Sequence, residues 1–408
     1  MKKAIVLAAL LLSTVLPACI SRQNNQQQDG VEGDFAFRII DNGASVEIIG
    51  YTGSATDVHI PAQIQNLSVT HIGERAFAGG EWIDDGKRRK FIEGNQLTSV
   101  SIPESVLHIG DSAFQENQLT DISIGNSVTH IGERAFSHNL LTNVTISDSV
   151  TYIGTTAFWK NQLTSVTIGN SVAYIGDYAF ADNQLTTITI PRSVTHIDKA
   201  AFVNNQLASV TIPNSVTHIG DRAFANNQLT SASIPESVTH TGNGAFSENL
   251  LTSVNISDSV TNIGDGAFSD NQLTNVIIPD SVTIIGDAAF TGNQLTSVHI
   301  PDTVMYIGRW AFSNNQLTSV SISGSETHIS DAAFAENQLT SITIPDGITH
   351  IGKWAFAYNQ LTSANIPDSV TDISEGAFAE NQLTSVSVPS DADIHPDAFD
   401  PNVTITRR

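Results

Sequence analysis

Thirteen consecutive 22-residue units, running without a gap from Asn95 to Glu380, constrain this chain more than any other feature. One unit spans Asn161 to Asp182, and a phenylalanine holds the same register in each, from Phe114, Phe136 and Phe158 through Phe356 and Phe378. A fixed period of this length predicts a solenoid, whose units bury their apolar faces against neighbours. The apolar positions of the unit are Leu163, Val166, Ile168, Val172, Ile175, Ala179 and Phe180. Leu-x-x-Val-x-Ile ends in alternation, which predicts a short strand with one face buried. Pro or Gly follows at once (Pro103, Gly125, Gly169, Pro191), at a strand end that proline tolerates. Ser-Val-x-x-Ile-Gly makes a second extended stretch, its glycine is expected to supply a turn, and Ala-Phe plugs the far side.

One coil cannot stand alone. Its buried side chains contribute roughly 10–20 kcal/mol at ~1.5–3 kcal/mol each, against about 1–2 kcal/mol of backbone entropy for every ordered residue. Stacking offsets the difference, because strands of successive coils pair into a parallel sheet spaced by ~4.8 Å. On that spacing thirteen coils make a rod or arc about 60 Å long.

The unit L-T-S-V-T-I-P-x-S-V-T-x-I-G-x-x-A-F resembles the BspA-type leucine-rich repeat of bacterial surface proteins. Ser105, Ser127, Ser149 and Ser171 stand where other leucine-rich classes place Asn, and the join between units is shortened to Asn-Gln-Leu, with Leu140 and Leu250 replacing Gln. The resemblance covers about residues 34–400. It implies a leucine-rich-repeat solenoid of about 14 coils of 22 residues with N- and C-terminal caps. A parallel β-sheet forms one face, and short strands, turns and 3-10 segments form the other.

In chain order, Lys2 and Lys3 precede an apolar run from Ala4 to Leu12, read as a signal peptide over residues 1–18. Leu16-Pro17-Ala18-Cys19 looks like a lipobox, so Cys19, the only cysteine, is the expected lipidation site. Ile20 follows it instead of Asp, which favours the outer membrane where two membranes exist. Residues 19–33 are Gln/Asn-rich and read as the lipidated Cys plus a flexible tether. Residues 34–56 alternate around Asp41-Asn42-Gly43 and are expected to form a β-hairpin that caps the first coil. Residues 57–94 make a first coil interrupted by an insertion loop carrying Trp82, Asp84, Asp85 and the run Lys87-Arg88-Arg89-Lys90. Insertions of this kind project from one face and often bind. Repeats fill 95–388 and a C-terminal cap fills 389–408. Glu326 at a Val position and Thr241 at an Ile position are expected weak points, with fraying around Ser323–Glu326.

Formal charge is −23. An acidic surface without a basic stripe argues against nucleic acid. With one cysteine, the fold has no disulfide framework and no Cys₄ or Cys₂His₂ zinc site. No H-E-x-x-H, phosphate loop or G-x-S-x-G elbow occurs, and no cofactor is expected. Ser215, His218 and Asp221 imitate a catalytic triad, but these residue types recur with repeat phase, so the chain is not read as an enzyme.

Three ladders remain. Asn occupies one register in every unit from Asn95 to Asn381, a structural role explained by local backbone bonding and tolerance of left-handed geometry. A second register collects His71, His108, His130, Tyr152, Tyr174, His196, His218, His240, Tyr306, His328 and His350. It reads either as an exposed row or as a weak metal or pH-responsive site. The third is the exposed strand face: Ser165, Thr167, Thr187, Thr189, Ser209, Thr211, Ser231, Ser233, Ser341 and Thr343. By resemblance this is the concave, partner-binding side. Trp159, Tyr178, Trp310 and Trp354 depart from small residues elsewhere and read as binding anchors or gap fillers. The resulting expectation is an exported, lipid-anchored surface protein, monomeric, touching membrane only through its lipid. It would bind a protein or surface-glycan ligand in adhesion to host matrix proteins or other cells. The alternative is a passive envelope-organising protein without a specific ligand.

Overall fold

The computed structural model describes residues 29–84, 89–322 and 327–408. The 22-residue period does produce a parallel solenoid. Most coils contribute a three- or four-residue strand such as Ser165–Thr167, Thr187–Thr189 or Ser209–Thr211, and a two-residue strand such as Tyr174–Ile175 or His196–Ile197. Both rows pair in register one repeat apart: Asn143 faces Ser165, and Tyr174 faces His196.

The two rows differ in continuity. The His/Tyr row is an unbroken ladder from Leu67–Ile72 to His218–Ile219. It then thins to single bridges at Thr241, where the sequence puts a hydroxyl in place of an isoleucine. Thr241 is buried, and its Oγ1 accepts the Gly264 N–H at 3.0 Å. In the following coil the equivalent amide, Gly286 N–H, goes to the carbonyl of Ile263. The side chain therefore competes with the backbone for the ladder bond. The Ser/Thr row pairs mostly two by two: Asn143–Thr145 with Ser165–Thr167, Thr187–Thr189 with Ser209–Thr211, Ser231–Ser233 with Ser253–Asn255. Asn275 to Ile278 form no strand at all.

A column of phenylalanines fills the interior. From Phe77 to Phe399 each ring stacks on the next, with centroids between 5.1 and 5.7 Å apart. The column's first ring is covered by Phe35 and Tyr51 at 6.3 and 5.7 Å. These two come from the antiparallel hairpin of β2 (Phe35–Ile40) and β3 (Ser45–Tyr51), which turns through a 3-10 segment, Asp41–Gly43. The tether expected to reach Gly33 stops earlier. Asp29–Glu32 forms β1, antiparallel to β2, because the outer edge of β2 offers free backbone groups and Arg38 holds Asp29 at 3.1 Å. At the other end, Thr404–Arg407 pairs in parallel with Ser385–Val388.

Asparagine locks coil to coil. Asn183 Nδ2 donates to the Phe158 carbonyl of the preceding coil (3.0 Å) and to Phe180 of its own (3.1 Å), and Oδ1 accepts the Leu163 N–H at 3.0 Å. The same triplet recurs through Asn359. This satisfies buried groups that the irregular corner leaves unpaired. Left-handed geometry, expected at the Asn itself, falls on the residue before it (Lys160, Asp182, Asn204). Asn keeps the backbone that lets its amide point inward.

The Ile-Gly glycine opens a turn, Gly154 O accepting the Ala157 N–H at 3.2 Å, but its own backbone does not require glycine. Gly110, Gly154 and Gly220 have no positive φ, and a Cβ there would meet backbone of the preceding coil at 2.6–2.7 Å. Close approach of stacked coils excludes a side chain. The left-handed position lies two residues further on, at Arg134, Thr156, Tyr178 and Trp310.

Candidate ligand-binding surfaces

All ten Ser/Thr positions singled out from the sequence are exposed, and the residue between each pair points to the core. The strand period of two thus leaves a hydroxyl-rich row whose ion-pair contact, His59 Nδ1 to Asp57 Oδ1 at 4.0 Å, lies in its first strand. Asp121 interrupts it near one end. The sequence reading missed Ile277, which occupies the Thr register and is 75% exposed. Its signal was Val-Ile-Ile where other units have Val-Thr-Ile. It stands between Asn255 and His299 of the same register, in the one stretch of this row that forms no strand among the described coils. A groove of about 210 Å³ lined by Asn275, Ile277, Ser297 and His299 opens beside it.

The insertion is a two-stranded antiparallel hairpin instead of a loop: Gly80–Asp84 pairs with Arg89–Glu93. Its strands carry Trp82, Ile83, Phe91 and Ile92, residue types that favour extended backbone, and Gly79 and Gly94 join their bases closely, with Gly94 N–H bonded to Gly79 O at 2.6 Å. Trp82, Arg89 and Lys90 sit on these strands; Lys87 and Arg88 lie outside the described residues, as do Cys19 and the segment Ser323–Glu326.

The four outer aromatics divide. Trp159 and Tyr178 pack over Ala181, Ala200, Val203 and Ala225, and Trp159 Nε1 donates to Asp182 at 2.7 Å. Lys160 lies over the indole at 4.6 Å. These two fill a gap. Trp310 and Trp354 stay 49% and 39% exposed.

In the His/Tyr register the rings form a staircase. His71 and His108 stack at 4.6 Å, His130 and Tyr152 at 4.8 Å, His328 and His350 at 4.4 Å. Several Nδ1 atoms are held by the preceding threonine, as at Thr70–His71 (2.8 Å). No group of three His, Cys, Asp or Glu side chains converges to hold a metal among the described residues. Burial, then the neighbouring His108 charge, holds His71 and His130 below the ordinary value of 6.5; Asp41 and Asp111 oppose this more weakly. The folded state therefore binds fewer protons than the unfolded chain just below pH 6.5. Stability contributed here is present above that pH and falls as pH drops toward the depressed folded values. Melting curves at pH 7.5 and 5.5 should show the acid loss, and His108→Asn should flatten it; an unchanged slope would refute the coupling.

The imitation triad does not assemble. Ser215 Oγ has no hydrogen-bond partner, and Asp221 Oδ1 is occupied by the Asn243 N–H at 2.7 Å. That Asp is a backbone staple repeated at Asp177, Asp265, Asp287 and Asp331.

Comparison with known proteins bears on the scaffold. The family model for the BspA type leucine rich repeat region matches residues 87–208, 175–296 and 283–406. No curated protein matches the chain. A leucine-rich repeat protein from Bacteroides ovatus shares the fold, with a TM-score of 0.55 at 21% identity over 93% of this chain and 100% of that one. A leucine rich cell surface protein from Faecalibacterium prausnitzii aligns at 25% identity and a TM-score of 0.47, over 94% and 96% of the two chains.

Proposed function

The chain belongs to the BspA-type leucine-rich repeat family, and from that premise we propose that it is an exported, lipid-anchored scaffold that binds another macromolecule in adhesion. The observation that carries this reading is the exposed, nearly uncharged Ser/Thr row, with Ile277 as an apolar anchor near its middle. Binding energy concentrates in a few apolar anchors surrounded by neutral polar contacts, an arrangement this row offers. Residues 1–18 would serve as signal, Cys19 as the acylated anchor and the stretch before Asp29 as tether. The hairpin bearing Trp82, Arg89 and Lys90 would be a secondary contact, together with Lys87 and Arg88 of the same basic run. The scaffold has no proposed catalytic role.

A chain lacking residues 1–19, presented to immobilised matrix proteins and to whole bacterial cells, should bind at least one saturably. Ile277→Lys alone should weaken that binding at least tenfold, and Thr189→Lys with Thr211→Lys should abolish it, with melting temperature retained. Saturable binding that survives all three changes would place the contact elsewhere. No binding to any surface would favour a passive envelope role. Protease shaving of intact cells checks the premise of exposure: protection of the chain in intact cells would refute it.

A further inference from the structure

Two coils of the array place a tryptophan in the register that Ala200, Gly244, Gly266, Ala288 and Ala332 fill elsewhere. Trp310 and Trp354 occupy the same register two coils apart, about 10 Å on the ~4.8 Å strand spacing. Both sit at positive φ, 55° and 59°, where a bulky residue is rare. The coil backbone holds them there: Trp310 N–H donates to Asp331 O and Trp354 N–H to Glu375 O, each at 3.0 Å.

Each indole lies over the small residue of the following coil. A Cβ on Gly376 would fall 2.5 Å from the Trp354 ring. Ala332, in the coil after Trp310, is buried, whereas Ala288, which follows Gly266, is half-buried. One face of each ring is thus packed and the other is left to solvent. Tyr358 extends the second platform, 53% exposed and nearly parallel to Trp354 at 6.4 Å.

The same coils carry a groove of about 410 Å³ lined by Tyr306, Arg309, His328, Ser330, Asp331 and His350, joined to the first platform through Arg309. Arg309 precedes Trp310 directly and makes no side-chain ion pair among the described residues. Asp331 spends one oxygen on the Lys353 N–H at 2.8 Å and keeps the other free. His328 and His350 have Nδ1 held by Thr327 and Thr349, so Nε2 is the ring nitrogen left for a ligand. Flat apolar faces bordered by paired donors and acceptors suit a ligand with a C–H face and hydroxyl edges. The formal charge of −23 disfavours an anionic one.

We propose that Trp310 and Trp354, with the adjoining groove, form a binding site for a neutral glycan chain whose sugar rings stack on the two indoles. This site is separate from the Ser/Thr row and does not depend on it.

The test uses the full-length chain purified in a sugar-free detergent. Laminarin, hydroxyethylcellulose and chitohexaose serve as neutral probes and heparin as the anionic one, read by affinity electrophoresis or calorimetry. At least one neutral probe should bind, and Trp310→Ala with Trp354→Ala should weaken it at least tenfold. Trp159→Ala should leave it unchanged. If the double variant fails to fold, acrylamide quenching of the unmodified protein decides, because bound glycan must shield the exposed indoles. Binding of no neutral probe, binding of heparin alone, binding indifferent to the double variant, or quenching unaffected by ligand would each overturn the proposal.

Discussion

Asn227→Asp should destabilise the protein by about 3–5 kcal/mol, reading two or three buried groups left unpaired at about 1–3 kcal/mol each. Asn227 Oδ1 accepts the Leu207 N–H at 3.0 Å, and its Nδ2 donates to the Phe202 and Phe224 carbonyls at 3.0 and 3.1 Å. Aspartate keeps the acceptor but turns a second oxygen toward two carbonyl oxygens. Ionised, it is a buried charge without a partner. The same exchange at Asn381, which is only partly buried beside the last coil, should cost clearly less. Urea unfolding measures both, and hydrogen exchange at Leu207 localises the damage. Equal effects at the two sites would mean that burial does not set the cost.

Phe246→Ala should cost a similar amount, about 3–5 kcal/mol for a phenylalanine removed from a packed core. Its qualitative effect should be larger. Phe246 is fully buried between Phe224 and Phe268, at 5.4 and 5.7 Å. Its coil is also the one in which Thr241 reduces the His/Tyr ladder to bridges. With that ladder thinned, coil-to-coil attachment there leans more on the ring column and on Asn249, beside the Ser231–Ser233 strand pairing. In a nearest-neighbour array a weakened junction uncouples the segments on either side. Calorimetry should therefore resolve two melting transitions where the parent has one. A single transition, merely shifted, would show that the junction is not the weak link.

Much of this was legible in the residues. Period gave the architecture, alternation gave the buried side of each strand, and the Asn register announced a structural role. What escaped reading was geometric. The glycine after isoleucine is needed for close approach, yet a turn would demand the same residue, so its identity could not distinguish them. Left-handed backbone is ordinarily flagged by Gly or Asn, but here it falls on Arg134, Lys160 and Trp310, whose types carry no such mark; neighbouring coils impose the conformation. Asp29–Glu32 looked like tether because its strand has little to bury and is held by backbone pairing and the Arg38–Asp29 contact, neither of which leaves an apolar pattern. The candidate surfaces were legible as registers, and the Ser/Thr row stood out by repetition. Ile277 did not, since one substitution in a row has no period to reveal it. The separation of Trp159 from Trp310 needed the third dimension: one finds Asp182 as a partner, the other only a small residue to lie on.

Almost every bond that fixes a coil reaches one unit back or forward: the amide of Asn to the previous Phe, the carboxylate of Asp to the next backbone N–H, ring onto ring. Excising one whole unit would consequently join two ends that already match, atom for atom. The length of the protein is then an adjustable dimension, and the distance from one cap to the other can change in steps of one winding without redesigning any joint.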